Sequence, residues 1–158
     1  MEGARWVKNL TEQKITEKRV NEMIEVGLWF EELFWHEHAN GIFVCSSTVQ
    51  FDSDTILELK GSVNQKTGSY KWMLFLNGQR IVALENHSRH HNPTCSWIDG
   101  VHLHWWRDEY QSERYAEKVD FDNSDDPEIA FYWFARQLNI RVRRGPGSVP
   151  DVVMQGRF

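Results

Sequence analysis

The chain is 158 residues long, the length of one ordinary domain, and 41% apolar, enough to bury a core. A net charge of −5 argues against a general nucleic-acid binder, and no signal peptide or long apolar run marks secretion or a membrane span. Cys45 and Cys95 sit in no CxxC or CxxH pattern, so a disulfide framework is excluded and a reduced, cytoplasmic setting is expected.

The charge is uneven. Residues 141–158 carry Arg141, Arg143, Arg144 and Arg157 against Asp151, which leaves residues 1–140 at −8. Eight tryptophans and nine phenylalanines predict an aromatic-rich core.

Residues 1–10 read as a loosely fixed lead-in. Thr11 is a capping residue, and Ile15, Val20, Met23 and Ile24 recur at helical spacing, so a helix is predicted over 12–26, stopped by Gly27. The aromatic run 28–40 is ambiguous: its aromatic density suits a strand equally, but Leu28, Trp29, Leu33 and His36 can share one side of a helix, and a short helix or turn is the expectation. From Gly41 the period becomes two. Strands are predicted over 42–49, 55–63, 70–76, 79–84 and 101–106, with a sixth over 115–121. Asn77-Gly78 suits both positive-φ positions of a type I′ turn and predicts a hairpin. Acids crowd residues 120–128, but a calcium loop counted from Asp120 would need Gly at 125 and Glu at 131, where the chain has Asp and Phe. The segment instead caps a helix over 127–138, with Pro127 at its first position.

The expected fold is therefore α+β: an N-terminal helix, an antiparallel five- or six-stranded meander sheet, and a C-terminal helix packed on the sheet. Residues 1–140 form this single domain, and 141–158 a basic, Pro/Gly-containing extended tail.

Five of the seven histidines fall between residues 80 and 107: His87, His90, His91, His102 and His104. Strand alternation puts His102, His104 and Trp106 on one side and Val101, Leu103 and Trp105 on the other. The Pro-containing loop between the strands can fold His90 and His91 back onto that side. Imidazole changes charge near neutral pH and binds metals, so three readings stand. The first is a metal-independent ribonuclease. Two of the catalytic candidates His90, His91, His102 and His104 would act as general acid and base, Arg107 would hold the phosphate at the catalytic centre, and Arg80, Arg89 and Trp106 would bind the RNA. The second is a metal site of His102 and His104 with His90 or His91. No Cys or acid completes a known spacing, so no metal or other cofactor is expected. In the third, the histidines are only hydrogen-bonded fillers.

The run ALENHSRHHNP…IDGVHLHWWRDEY…YAEKV resembles a group of small, uncharacterised prokaryotic proteins with His-x-Asn-Pro and His-x-His motifs. The matching positions are His90, Asn92, Pro93, His102, His104 and Arg107, and the likeness covers about residues 40–140. The chain is more loosely similar to TumE-type toxins of toxin–antitoxin pairs, which implies action on RNA. It departs where that pattern has Arg then Asp, since Ala83-Leu84-Glu85 stands there. The resemblance implies a toxin-like protein of prokaryotic conflict systems that cleaves RNA through the histidine cluster. The alternative is a non-enzymatic acidic inhibitor of a defence nuclease, comparable to phage anti-CRISPR proteins. The partners implied are RNA, or a cognate antitoxin or nuclease, with no membrane.

Overall fold

The computed structural model describes residues 14–52, 54–86, 89–142, 146–147 and 149–150. Helix α1 spans Glu17–Val26. Its cap is Thr16, whose extended backbone (φ −135°) lets its hydroxyl accept the Arg19 N–H at 3.1 Å. The helix therefore starts later than the predicted residue 12, and Thr11 lies outside the described residues. Ile15 and Val20 occupy the two positions of a hydrophobic staple, and both pack into the core. Gly27, at φ 94°, ends the helix by donating its N–H to the Met23 carbonyl.

Residues 28–40 overturn the helical reading. They form strands β1 (Leu28–Phe30) and β2 (Phe34–Ala39). In β1, Leu28 and Phe30 are buried and Trp29 points outward, which is strand alternation. β2 returns through Asn40-Gly41, with Gly41 at φ 76°, into β3 (Ile42–Val49). That is the same dipeptide used to predict the hairpin at 77–78. The dense aromatics masked it, because they fit a helical period equally well.

The remaining strands are β4 (Leu57–Asn64), β5 (Tyr70–Leu76), β6 (Gln79–Glu85), β7 (His90–His91), β8 (Trp97–Ile98), β9 (His102–Trp105), β10 (Ala116–Lys118) and β11 (Ile140–Val142). Seven of them make one antiparallel meander in the order β10-β9-β6-β5-β4-β3-β2. The unanticipated β2 is why the sheet exceeds the expected five or six strands. Asn77 (φ 48°) and Gly78 (φ 82°) both adopt positive φ between β5 and β6, as the turn chemistry predicts. β7 and β8 form a separate hairpin, inserted between β6 and β9. β1 and β11 pair in parallel, Leu28 opposite Ile140. The last strand thus runs past residue 140 into the expected tail. Beyond it, the Pro146 carbonyl accepts from Trp35 Nε1 at 2.8 Å, and Val149 packs against the core. Arg143, Arg144 and Arg157 lie outside the described residues.

Helix α2, Pro127–Gln137, is capped by Asp126, which accepts the N–H groups of Glu128 and Ile129. It packs on the face formed by Leu57, Leu59, Gly61 and Val63 of β4 and Tyr70, Trp72 and Leu74 of β5. Trp72 is the centre of this layer. Its ring meets Phe131 at 4.9 Å and Trp35 at 5.6 Å, and its Nε1 donates to the Pro127 carbonyl at 3.0 Å. Gly61 lies directly opposite, where a Cβ would strike the Trp72 ring and stand 2.9 Å from Cys45 Sγ.

Burial pushes the Cys45 thiol up to about 12, offset in part by the Gly61 backbone, whereas Cys95 is exposed. Iodoacetamide at neutral pH should therefore label Cys95 in the native protein and reach Cys45 only after unfolding, as peptide mass mapping would read. An unfolded cysteine ionises near about pH 8.5 while native Cys45 holds its proton, so this site lowers stability as pH rises above that point. Native labelling of Cys45 would contradict its burial.

Candidate functional site

The sheet register decides what shares the face opposite α2. Directly paired residues project to the same side. Lys71 pairs with Glu85, Glu85 with His102, Ala83 with His104, and His104 with Ala116. His102 and His104 therefore share this face with Glu85, as the alternation of β9 predicted. Simple alternation along β6 would put Arg80 on the other face from Glu85. A register shift near Ile81 pairs Arg80 with Phe75 and brings it onto the same face as Glu85. Its guanidinium lies 2.8 Å from Glu85 Oε1 and 3.3 Å from Glu113 Oε1.

The β7–β8 hairpin lays His90 over this face. Asn92 fixes the hairpin. Its side chain accepts the Ala116 N–H at 2.8 Å and donates to the Ala116 carbonyl at 2.9 Å, so it acts as an extra strand residue beside β10. His90, His102 and His104 then stand with ring centroids 4.6–5.4 Å apart. His102 is 0% exposed and His104 2%, while His90 is half-buried.

The hydrogen bonds fix the tautomers. His102 Nδ1 faces the Gly100 carbonyl at 2.8 Å, and His104 Nδ1 faces the Glu113 carbonyl at 2.9 Å. His90 Nε2 faces the Arg114 carbonyl at 2.8 Å. A carbonyl only accepts, so each of these nitrogens carries a proton. In the neutral form of each ring the lone pair falls on Nε2 of His102, Nε2 of His104 and Nδ1 of His90, and in the charged form the same atom carries a second N–H. Both Nε2 atoms are buried without a hydrogen-bond partner. Glu85 Oε2 is the nearest acceptor, at 3.5 Å from His102 Nε2 and 3.8 Å from His104 Nε2, which is ion-pair spacing.

Burial alone would raise the Glu85 carboxyl. The adjacent His102 and His104 rings and the Lys71 ammonium outweigh it and hold the group far below the usual carboxylate range. Burial lowers His90, and the neighbouring His104 and His102 add to this against the opposing pull of the Arg114 carbonyl.

The other predicted site residues lie elsewhere. His91 is exposed, with its ring 4.5 Å from Trp97. Arg89 covers the Trp97 ring and pairs with Asp99 at 3.5 Å. Arg107 sits over Tyr115 and pairs with Glu117 at 3.1 Å. Trp106 is buried, and Trp105 and Trp106 border α1 near Glu17, Val20 and Asn21. Glu85 entered the sequence reading only as a departure from a motif, although strand alternation from Ala83 would have found it. Glu113 lies in an irregular segment and gives no sequence signal.

This is an α+β domain with a buried histidine–carboxylate centre on the sheet face away from its aromatic core. The chain belongs to a family of unknown function (DUF6978), whose model matches residues 36–140. No curated protein and no solved structure matches it. No helix among the described residues is long and apolar enough to cross a membrane.

Proposed function

We propose that the protein is a non-enzymatic binding protein that inhibits a target through its acidic surface, in the manner of an anti-defence inhibitor. The observation that carries this reading is the pairing of the predicted phosphate-binding cations with carboxylates. Arg80, Arg89 and Arg107, the cations expected to hold a phosphate, each lie within ion-pair distance of a carboxylate. The Nε2 atoms of His102 and His104 are also sealed from solvent, where a ribose hydroxyl would have to reach them. Asp120, Asp122, Asp125, Asp126 and Glu128, by contrast, form an exposed run with no ion pair to a described residue. Such a surface suits the basic cleft of a nuclease.

A TumE-like toxin that cleaves RNA is the second reading, favoured by the convergence of His90, His102 and His104 beside Arg80. One experiment separates the two. Purified protein is incubated with total RNA from roughly pH 5 to 8, the range over which imidazole titrates. It is then added to a panel of nucleases with basic clefts. Nuclease inhibition without RNA cleavage is expected, and the combined Asp120→Asn, Asp122→Asn and Asp125→Asn changes should weaken inhibition by about tenfold or more at low salt. RNA cleavage by the wild type that is absent in His104→Ala would install the toxin reading instead.

A further inference from the structure

We propose that His90, His102 and His104, with Glu85 as fourth donor, form a site for one divalent first-row transition ion of the zinc class. One ring nitrogen from each histidine lies within 4.8 Å of those of the other two. The nitrogens carrying the lone pairs are the ones that the backbone carbonyls leave free. A ligating histidine characteristically donates its other N–H to a carbonyl or carboxylate, which fixes the tautomer and aims the lone pair. All three rings are held this way here, by Gly100, Glu113 and Arg114.

The site also resolves two costs. A buried polar atom without a partner is unfavourable, and both His102 Nε2 and His104 Nε2 are in that state. A cation bound to both lone pairs removes the penalty. Glu85 divides its two oxygens. Oε1 takes Arg80 at 2.8 Å and Lys71 at 3.8 Å, while Oε2 turns to the histidines. Tetrahedral ligands 2.0–2.1 Å from zinc stand about 3.4 Å apart. The spacings of 3.5 and 3.8 Å from Oε2 to the two Nε2 atoms are already close to that. Drawing in the third imidazole takes a shift on the order of 1 Å, which falls to His90 on its two-residue strand. Imidazole with one carboxylate suits zinc and its first-row neighbours, whereas calcium and magnesium prefer oxygen ligands. The absence of cysteine partners in the sequence does not bear on this donor set. The ion would tie the β7–β8 hairpin to β9 and β6, and it is independent of what the acidic surface binds.

The test uses the full, untagged chain, stripped with a chelator and then titrated with Zn²⁺, and in parallel with Co²⁺. One ion per chain should be retained through gel filtration. Co²⁺ should give the intense visible absorption of a tetrahedral site. With free Zn²⁺ at about 100 times Kd, the folded-to-unfolded ratio should rise about 100-fold. Melting temperature should increase by roughly 5–10 °C. His90→Ala, which leaves the buried pair in place, should fold and yet bind at least about tenfold more weakly, the scale on which even supporting residues of metal sites act. His36→Ala and His38→Ala, on exposed β2 at the far edge of the sheet, should bind like the wild type. The proposal fails if the wild type retains no ion and shows no Co²⁺ spectrum. It fails equally if His90→Ala and His102→Gln bind as the wild type does, or if the His36 and His38 variants lose the ion.

Discussion

Trp72→Ala should destabilise the protein by about 3–5 kcal/mol, the range for removing a large buried aromatic. The side chain is 0% exposed, and it joins three elements. Phe131 belongs to α2, Trp35 to β2, and Gly61 faces it from β4. Gly61 has no side chain to move into the space, so the cavity stays open. The Pro127 carbonyl also loses its indole donor at the start of α2. Urea denaturation should show a lower midpoint with an unchanged slope. Trp97→Ala, on the 54% exposed hairpin residue, should stay within about 0.5 kcal/mol and serves as the control. A Trp72→Ala loss below about 1 kcal/mol would mean that the α2–sheet layer is not the main core.

Asn92→Ala should cost about 2–4 kcal/mol, because it strands two buried groups at once. The Ala116 N–H and carbonyl lie on the free side of β10, and the Asn92 amide is the hydrogen-bond partner of each. Ala116 is 1% exposed and Asn92 3%, so water does not readily replace the lost bonds. Asn92→Asp keeps the acceptor but not the donor and should fall between the two. Hydrogen exchange at Ala116 supplies an independent reading, since its amide should lose protection before the centre of β5 does. Unchanged stability and protection in Asn92→Ala would show that the His90 contact to Arg114 is enough to hold the hairpin.

The role of Asn92 also gives the His-x-Asn-Pro stretch a physical meaning. Pro93 and Cys95, the latter at φ 64°, turn the chain back so that the Asn92 N–H reaches the Ser96 carbonyl at 2.8 Å. The Asn92 side chain is then free to clasp β10, and His90, two residues earlier on β7, faces the centre. Ala83 acquires a meaning as well. It pairs with His104 and is fully buried, so the arginine of the toxin pattern would project straight into the histidines. Arg80 supplies a guanidinium to that face instead.

The sequence by itself determined the elements whose signals are local. Period-two alternation set β3 to β6 and β9, Asn77-Gly78 set their central hairpin, and Asp126-Pro127 set the start of α2. Alternation also put His102 and His104 on one side, because neighbouring strand residues must project oppositely. Only the tertiary structure decided the rest. Whether 28–40 became helix or strand depended on pairing with β3 and β11, since its aromatics fit either period. The partners of the histidines depended on register. Glu85 reaches them by lying opposite His102, Arg80 by a bulge at Ile81, and the Glu113 and Arg114 carbonyls by an irregular segment with no periodicity. Register is a relation between strands, and a shift of one residue would have turned Glu85 into the opposite face.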